Sequence, residues 1–531
     1  MLLKSWIVLQ IHAVLVLSVS QNETIKQTLI WNNCTEEVSG ALPADCAQLT
    51  VPLDYTDLES GGTLNLSLIK INATKSPSKG SILINPGGPG VSGVTDLKKS
   101  SALIFRSLIN EDYNIIGSDP RGTGQTLPFT CFNDQIEQLR FETSTPAALD
   151  ESDTALGKAW ANWALYAKKC QQTSADVGEL IGTAFTARDV MQIVDALDED
   201  GMLRFFGQSY GTFLGTTLAA MFPDRIDKLV LDGVVNPHEY STGWEFDPAP
   251  IQDIALQQVF RQCIEAGSPA CVLAGEGATV ESLTATYRNL IQQLKAEPIV
   301  LGSNSTLDVV YYSDIMLATE DGIRQALSYA TPFVGYLHSI LERNATAYQI
   351  YRAQLAALTQ PGFSQKSTAI DSLYGIRCSD SKFRAEELED IAPQLDKINN
   401  ATELFGGYYA SGYIPCSKWQ FKAKEIYSGD YTAKTKNPAL LIGSPWDNRT
   451  PLVSAHNVST GLEGSVVLQH NGLGHVVIYS PGQCAIQAIQ KYFEDGTLPY
   501  PGTICEQDFG VFEGKSILDS FGLGGLVAEG Q

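Results

Sequence analysis

Leu203-Arg204-Phe205-Phe206-Gly207-Gln208-Ser209-Tyr210-Gly211, running on into Thr212-Phe213-Leu214-Gly215, is the stretch on which the fold turns. A short apolar run ends in Gly-x-Ser-x-Gly and passes directly into a helical pattern from Tyr210 to Met221. This reads as a strand, a sharp turn and a helix. Such a turn lifts its serine in a strained conformation, and side chains larger than hydrogen at 207 and 211 would collide with strand and helix. Ser209 then projects from the tip, with the positive end of the following helix behind it. The plain alternative is a chance match in an ordinary β-to-α turn. The strand before and the amphipathic helix after weigh against it.

The same alternation extends outward. Leu64 to Ile71 alternates as a half-buried strand, whereas Ser81 to Ile84, Tyr113 to Ile116, Lys228 to Leu231 and Ala439 to Ile442 are short apolar runs suited to strands covered on both faces. Thr183 to Leu197 has helical spacing. Strands alternating with helices predict an α/β class and a mostly parallel central sheet. From Glu245 to Lys436 the character changes to successive helical segments, among them Asp253 to Cys263, Val280 to Leu294, Asp314 to Leu327 and Ala347 to Leu358. Sheet character returns at Ala439 and at Ser465 to Leu468. The expected organisation is therefore a core at 21–244, a helical lid insertion at 245–436, a second core part at 437–510 and a tail at 511–531.

A nucleophilic serine needs a base, and the chain has only six histidines. His12 falls in an apolar leader, and His338 in the helical region reads as an ordinary side chain. His238 follows the strand ending at Asp232. Of His456, His470 and His475, the last sits in Asn471-Gly472-Leu473-Gly474-His475, a glycine-bordered loop after a strand, where a base can reach across the strand ends. His475 is chosen over His470, which is expected to finish the strand or face solvent. The orienting acid must lie between them at a strand end. Ala439-Leu440-Leu441-Ile442-Gly443-Ser444-Pro445-Trp446-Asp447 supplies Asp447, with Asp232 as competitor. Acyl transfer also needs donors for a developing oxyanion. The amides around Gly88, in Asn85-Pro86-Gly87-Gly88-Pro89-Gly90, and of Tyr210 are the candidates. A structural turn is the alternative there, and phosphate binding is disfavoured by the spacing and the lack of a following lysine.

Composition narrows the function classes. The 531 residues are 44% hydrophobic and 18% charged, which excludes wholesale disorder. With 36 basic against 59 acidic residues the net charge is −23, which disfavours nucleic acid and anionic membrane surfaces as partners. Met1 to about Ser20 reads as a signal peptide, one lysine followed by a short apolar run, and the Gly-rich end lacks a lipid-anchor pattern. A secreted, extracellular protein without a membrane anchor is expected. The ten cysteines are expected in disulfides; of about 945 pairings, neighbours in order are preferred. No Cys/His spacing suggests a metal, and no cofactor is expected. Sequons at Asn22, Asn33, Asn65, Asn72, Asn304, Asn344, Asn400, Asn448 and Asn457 predict N-linked glycans.

Taken together, Asn85 to Gly90, Gly117-Ser118-Asp119-Pro120-Arg121-Gly122-Thr123-Gly124, Gly207 to Gly211, Asp447 with Thr450-Pro451, Gly474-His475, Gly496-Thr497-Leu498-Pro499 and Gly502-Thr503-Ile504-Cys505 resemble the secreted tripeptidyl-aminopeptidase-like and proline-iminopeptidase-like branch of the α/β-hydrolases. The likeness runs from about Cys34 to Asp508 and is weakest in the insertion. It implies an α/β-hydrolase fold and a serine peptidase acting at peptide amino termini, with Ser209, Asp447 and His475 as triad. It also implies a structural turn at Asp119 and Arg121 and local disulfides such as Cys34 with Cys46 and Cys263 with Cys271. Proline iminopeptidases carry His where this chain has Pro86, which moves the expectation away from single-proline release. An exopeptidase needs a carboxylate for the substrate ammonium group, and Glu239, Glu245 and Asp247 are candidates by location. The same triad serves a carboxylic ester or lactone hydrolase, so the substrate is a peptide or a small acyl compound. A silent hydrolase-like binding protein is the reading from another class. Oligomeric state is open.

Overall fold

The computed structural model describes residues 28–34, 42–99, 101–302, 308–359 and 369–524. The expected signal peptide, the sequons at Asn22 and Asn304 and the end of the tail lie outside the described residues.

Among the described residues a ten-stranded sheet runs through the molecule. Its strands are β1 (Asn32–Asn33), β2 (Ala44–Pro52), β3 (Thr63–Ile71), β4 (Ser81–Asn85), β5 (Asn114–Ser118), β6 (Leu203–Gln208), β7 (Ile226–Asp232), β10 (Leu440–Gly443), β11 (Val466–Asn471) and β12 (Ile504–Glu506). A separate two-stranded piece pairs β8 (Ile299–Val300) with β9 (Val309–Val310). The sheet order is β1-β2-β3-β5-β4-β6-β7-β10-β11-β12. From β5 through β12 every pairing is parallel; β1, β2 and β3 are antiparallel. The parallel strands therefore end on one rim, where β4, β6, β7, β10 and β11 deliver their loops.

Strand β6 shows why these apolar runs became central strands. Phe205 packs on one face with Leu83, Val190, Leu214 and Leu229, and Phe206 on the other with Ile84, Val230, Ile442 and Leu468. Helices Thr183–Ala196 and Tyr210–Met221 cover the first face, and Ser101–Ile109 and Gln483–Asp495 the second. A strand buried on both sides has no polar alternation to show in its sequence.

Between β7 and β10 the chain is mainly helical and builds its own core around Tyr287, Met316, Phe333 and Tyr348. Leu473, Val511 and Phe512, from beyond β11, enter that same core. The segment from 511 expected as a tail thus begins inside the packed interior. The predicted helix Asp314 to Leu327 is two helices, Tyr312–Arg324 and Ala326–Leu341, broken at Gln325 (φ −124°). At that break the Arg324 carbonyl leaves the helical ladder and accepts the His475 amide at 2.8 Å.

Five disulfides join neighbours in order: Cys34–Cys46, Cys131–Cys170, Cys263–Cys271, Cys378–Cys416 and Cys484–Cys505. Such usage fits folding in an oxidising compartment. Among the described residues no helix is long and apolar enough to cross a membrane.

Phe206 is fully buried and lies edge-on to Phe105 at a 5.8 Å centroid separation. Phe206→Ala is expected to lower unfolding free energy by about 3–5 kcal/mol in urea titration. A loss under about 1 kcal/mol would mean that this face of the sheet is not the tightly packed layer described.

Candidate active site

Ser209 stands at the turn between β6 and the helix Tyr210–Met221 with φ 54° and ψ −124°. A non-glycine residue in that region is strained, and the surroundings hold it there. Its amide donates to the Asp232 carbonyl at 3.1 Å, and its carbonyl accepts from the Thr212 hydroxyl at 2.6 Å. The flanking glycines are a contact requirement. A Cβ on Gly207 would overlap the Gly211 carbonyl, and one on Gly211 would overlap the Asn85 carbonyl.

His475 follows β11 and Asp447 follows β10. The His475 Nδ1 lies 2.9 Å from Asp447 Oδ2 and 3.0 Å from Oδ1, and Thr450 Oγ1 is 3.1 Å from the same nitrogen. Asp447 is buried and accepts from the Arg449 and Thr450 amides at 2.8 and 2.9 Å and from the Thr450 hydroxyl at 2.8 Å. Burial alone would raise its carboxyl. The His475 charge and hydrogen bond, with the two amides, outweigh this and hold it below its ordinary value. Asp232, the competing acid, does not bond the imidazole; it accepts from Gln208 Nε2 and the Val477 amide, both at 3.0 Å. His470 is buried within β11, its Nε2 2.7 Å from the Ser480 carbonyl, so it does not face solvent.

Ser209, Gly88, Tyr210, Thr450 and His475 line one cavity of about 840 Å³. No hydrogen bond joins Ser209 Oγ to the imidazole in this arrangement. Such bonds are often long before substrate binds. Gly88 has φ 104°, and neither its amide nor that of Tyr210 donates to another group among the described residues. Both remain available for an acceptor at the elbow. The rest of the wall is shared: the insertion contributes Glu245, Tyr374, Arg377, Tyr408, Tyr409 and Tyr413, and the surrounding core contributes Val91, Phe141, Trp163, Tyr240 and Arg449 among others.

The three proposed ammonium partners part company here. Glu239 turns away from the cavity and spends its carboxylate on the Phe246 and Asp247 amides at 2.8 and 3.0 Å. Asp247 likewise lies off the cavity and accepts from Asn236 at 3.0 Å and Ser454 at 2.9 Å. These hydrogen bonds brace the loop at the start of the insertion, and both residues are withdrawn as ammonium partners. Glu245 does line the cavity, ion-paired to Arg377, whose guanidinium lies 4.7 Å from the Tyr413 ring centroid. Asn448, beside Asp447, is wholly buried and gives its Nδ2 to Gln252 and Glu320, leaving no room for a glycan. Asp119 and Arg121 are structural. Asp119 holds the Ser92 hydroxyl at 2.5 Å, and Arg121 pairs with Asp189 at 2.6 Å, its guanidinium 5.1 and 5.0 Å from the ring centroids of Tyr55 and Phe185.

Sequence reasoning missed Glu320 and Arg324. Glu320 binds Arg449 at 2.7 Å and Asn448 at 2.9 Å, and so ties the acid-bearing loop to the insertion. Glu320 and Arg324 lie in an amphipathic helix far along the chain from Asp447, and nothing local marks them. Thr450 was visible in the motif after Asp447, but not its contact with the imidazole.

The family profile described as alpha/beta hydrolase fold matches residues 80–262, and that described as TAP-like protein matches residues 402–505. The chain thus has the α/β-hydrolase fold, with a segment similar to the TAP-like proteins in its last part. The first match carries the elbow and the Gly88 loop, the second Asp447 and His475. A tripeptidyl aminopeptidase of Streptomyces coelicolor is 33% identical over 210 residues, 39% of this chain and 38% of that protein. The chain thus spans well under half the length of that relative. The serine protease Hip1 of Mycobacterium tuberculosis is 24% identical over 475 residues, 87% of each chain. A protein named carboxylesterase B, also of Mycobacterium tuberculosis, is 26% identical over 492 residues, covering 90% of this chain and 89% of that one.

Burial pushes the Asp232 carboxyl up to about 6 against the hydrogen bonds it accepts. A carboxyl raised on folding contributes stability that is fully present below its unfolded value and is lost as pH rises through the folded one. The thermal midpoint of the wild type should therefore fall between pH 4 and pH 7.5 more than that of Asp232→Asn, followed by calorimetry. Parallel curves would contradict this.

Proposed function

We propose that this chain is a secreted serine hydrolase that releases short peptides or residues from free amino termini of peptides. The observation that carries the reading is Ser209 in its strained conformation on the same cavity as the His475–Asp447 pair. The relatives named tripeptidyl aminopeptidase and serine protease support the peptidase class. The five disulfides support export.

In this mechanism His475 Nε2 takes the Ser209 proton as Oγ attacks the substrate carbonyl carbon. Asp447 holds Nδ1–H and stabilises the imidazolium. The carbonyl oxygen, now negative, is received by the Gly88 and Tyr210 amides. His475 then protonates the leaving amine, and water attacks the acyl-enzyme with the same base. General-base help of this kind is worth about 10²–10⁴-fold, and each oxyanion donor about 10²–10³-fold. Glu245, with its ion pair in the cavity wall, is the one of the three original candidates that could meet a substrate ammonium.

A second reading is a carboxylic ester hydrolase using the same groups, favoured by the likeness to the carboxylesterase B over most of both chains.

Purified protein given peptide amides with free and blocked amino termini should cleave the free ones, with product mass giving the number of residues released. Ser209→Ala should lose at least about 10⁴-fold in turnover and all fluorophosphonate labelling. Equal cleavage of free and blocked substrates, with faster ester turnover, would favour the second reading. Glu245→Gln should raise KM for free-amine substrates about tenfold and leave blocked ones unchanged; equal effects on both would remove Glu245 from recognition.

A further inference from the structure

Asp380 is a buried carboxylate that the mechanism above does not use. It ends the helix Ala369–Asp380 of the insertion, is 4% exposed, and forms no ion pair among the described residues. The nearest cation on its own helix, Arg377, is committed to Glu245. Its carboxylate instead meets the first residue of the helix Thr183–Ala196. Oδ1 accepts the Thr183 amide at 2.9 Å and Oδ2 lies 2.6 Å from the Thr183 hydroxyl. That hydroxyl is in turn 2.6 Å from the Tyr210 hydroxyl. Tyr210 is the residue directly after Ser209, and all three members of the chain are buried.

The geometry points to Asp380 as a positioning residue that acts on the oxyanion side of the site through Thr183 and Tyr210, with activity full when its carboxyl is neutral and reduced when it ionises. This rests on the proposed role of the Tyr210 amide. The physical reason is the direction of the chain. With Asp380 ionised, Tyr210 O–H donates to Thr183 and Thr183 O–H donates to the carboxylate, so both dipoles aim their positive ends away from the elbow. With Asp380 protonated, its own O–H donates to Thr183, whose O–H donates to the Tyr210 oxygen, and the Tyr210 hydroxyl hydrogen is released from the chain toward the cavity that Tyr210 lines. The dipoles then reverse and favour negative charge at the oxyanion side, in a low-dielectric interior where such effects are large. Burial pushes the Asp380 carboxyl up to about 7, which puts the change within a working pH range. The other titratable groups facing it are the phenols of Tyr210, Tyr240 and Tyr431, and His238 packs against Tyr431 at 5.7 Å between ring centroids.

The test measures turnover of a peptide amide and the rate of fluorophosphonate labelling of Ser209 from pH 5 to 9, on the full protein. In the wild type kcat and the labelling rate should both fall about tenfold above neutrality; labelling involves no substrate ammonium, so its fall reports the protein alone. The fall should be absent in Asp380→Asn and in Tyr210→Phe, present in Thr183→Ser, which keeps the hydroxyl, and present in His238→Gln. Should Asp380→Asn not fold, Tyr210→Phe breaks the chain from its other end and carries the test. A fall that persists in either variant, or that vanishes in His238→Gln, overturns the proposal while leaving the hydrolase reading intact. A wild type that is never labelled removes both.

Discussion

One backbone conformation organises this molecule. Ser209 is held at a positive φ between a buried strand and a helix, and a residue so placed costs on the order of 1–3 kcal/mol that neighbouring structure must offset. The offset is visible in the packing. Phe205 and Phe206 anchor β6 in opposite layers, the Asp232 carbonyl takes the Ser209 amide, and Gly207 and Gly211 let β6, the elbow helix and the β4 loop come into contact. The hydroxyl's position is thus a property of the whole sheet.

The second constraint is that the insertion is fastened to the site. The Arg324 carbonyl holds the His475 amide, and Glu320 in the same helix holds Arg449 and Asn448 beside Asp447. His475 directly, and Asp447 through its neighbours Asn448 and Arg449, are therefore tied to one helix. Leu473, Val511 and Phe512 complete the attachment by packing into the insertion's core. A helical region anchored this way serves as a fixed part of the wall, to which it contributes four tyrosines.

Much of this was legible along the chain, for reasons that can be named. Gly207-Gln208-Ser209-Tyr210-Gly211 is a local steric problem with a local solution, so its sequence reveals its shape. Buried parallel strands advertise themselves as unbroken apolar runs, and all five cysteine pairs join neighbours in order. The break at Gln325 was not legible. Nothing in Asp314 to Leu327 interrupts helical spacing, because the cause is a partner amide about 150 residues away. Glu239 and Asp247 failed for a related reason: position near the insertion does not say which way a carboxylate turns, and Glu239 found amides of its own loop while Asp247 found Asn236 and the distant Ser454.

By itself the sequence determined the fold class, the local motifs that carry the proposed nucleophile, acid and base, and the apolar patterning that makes the sheet, since each depends on residues close together or on a period within one element. Only the tertiary structure decided which acid meets His475, which carboxylate of three enters the cavity, and that Asp380 reaches Tyr210 through Thr183. Those outcomes depend on where side chains remote in the chain run out of water and must find one another, and no local pattern encodes that competition.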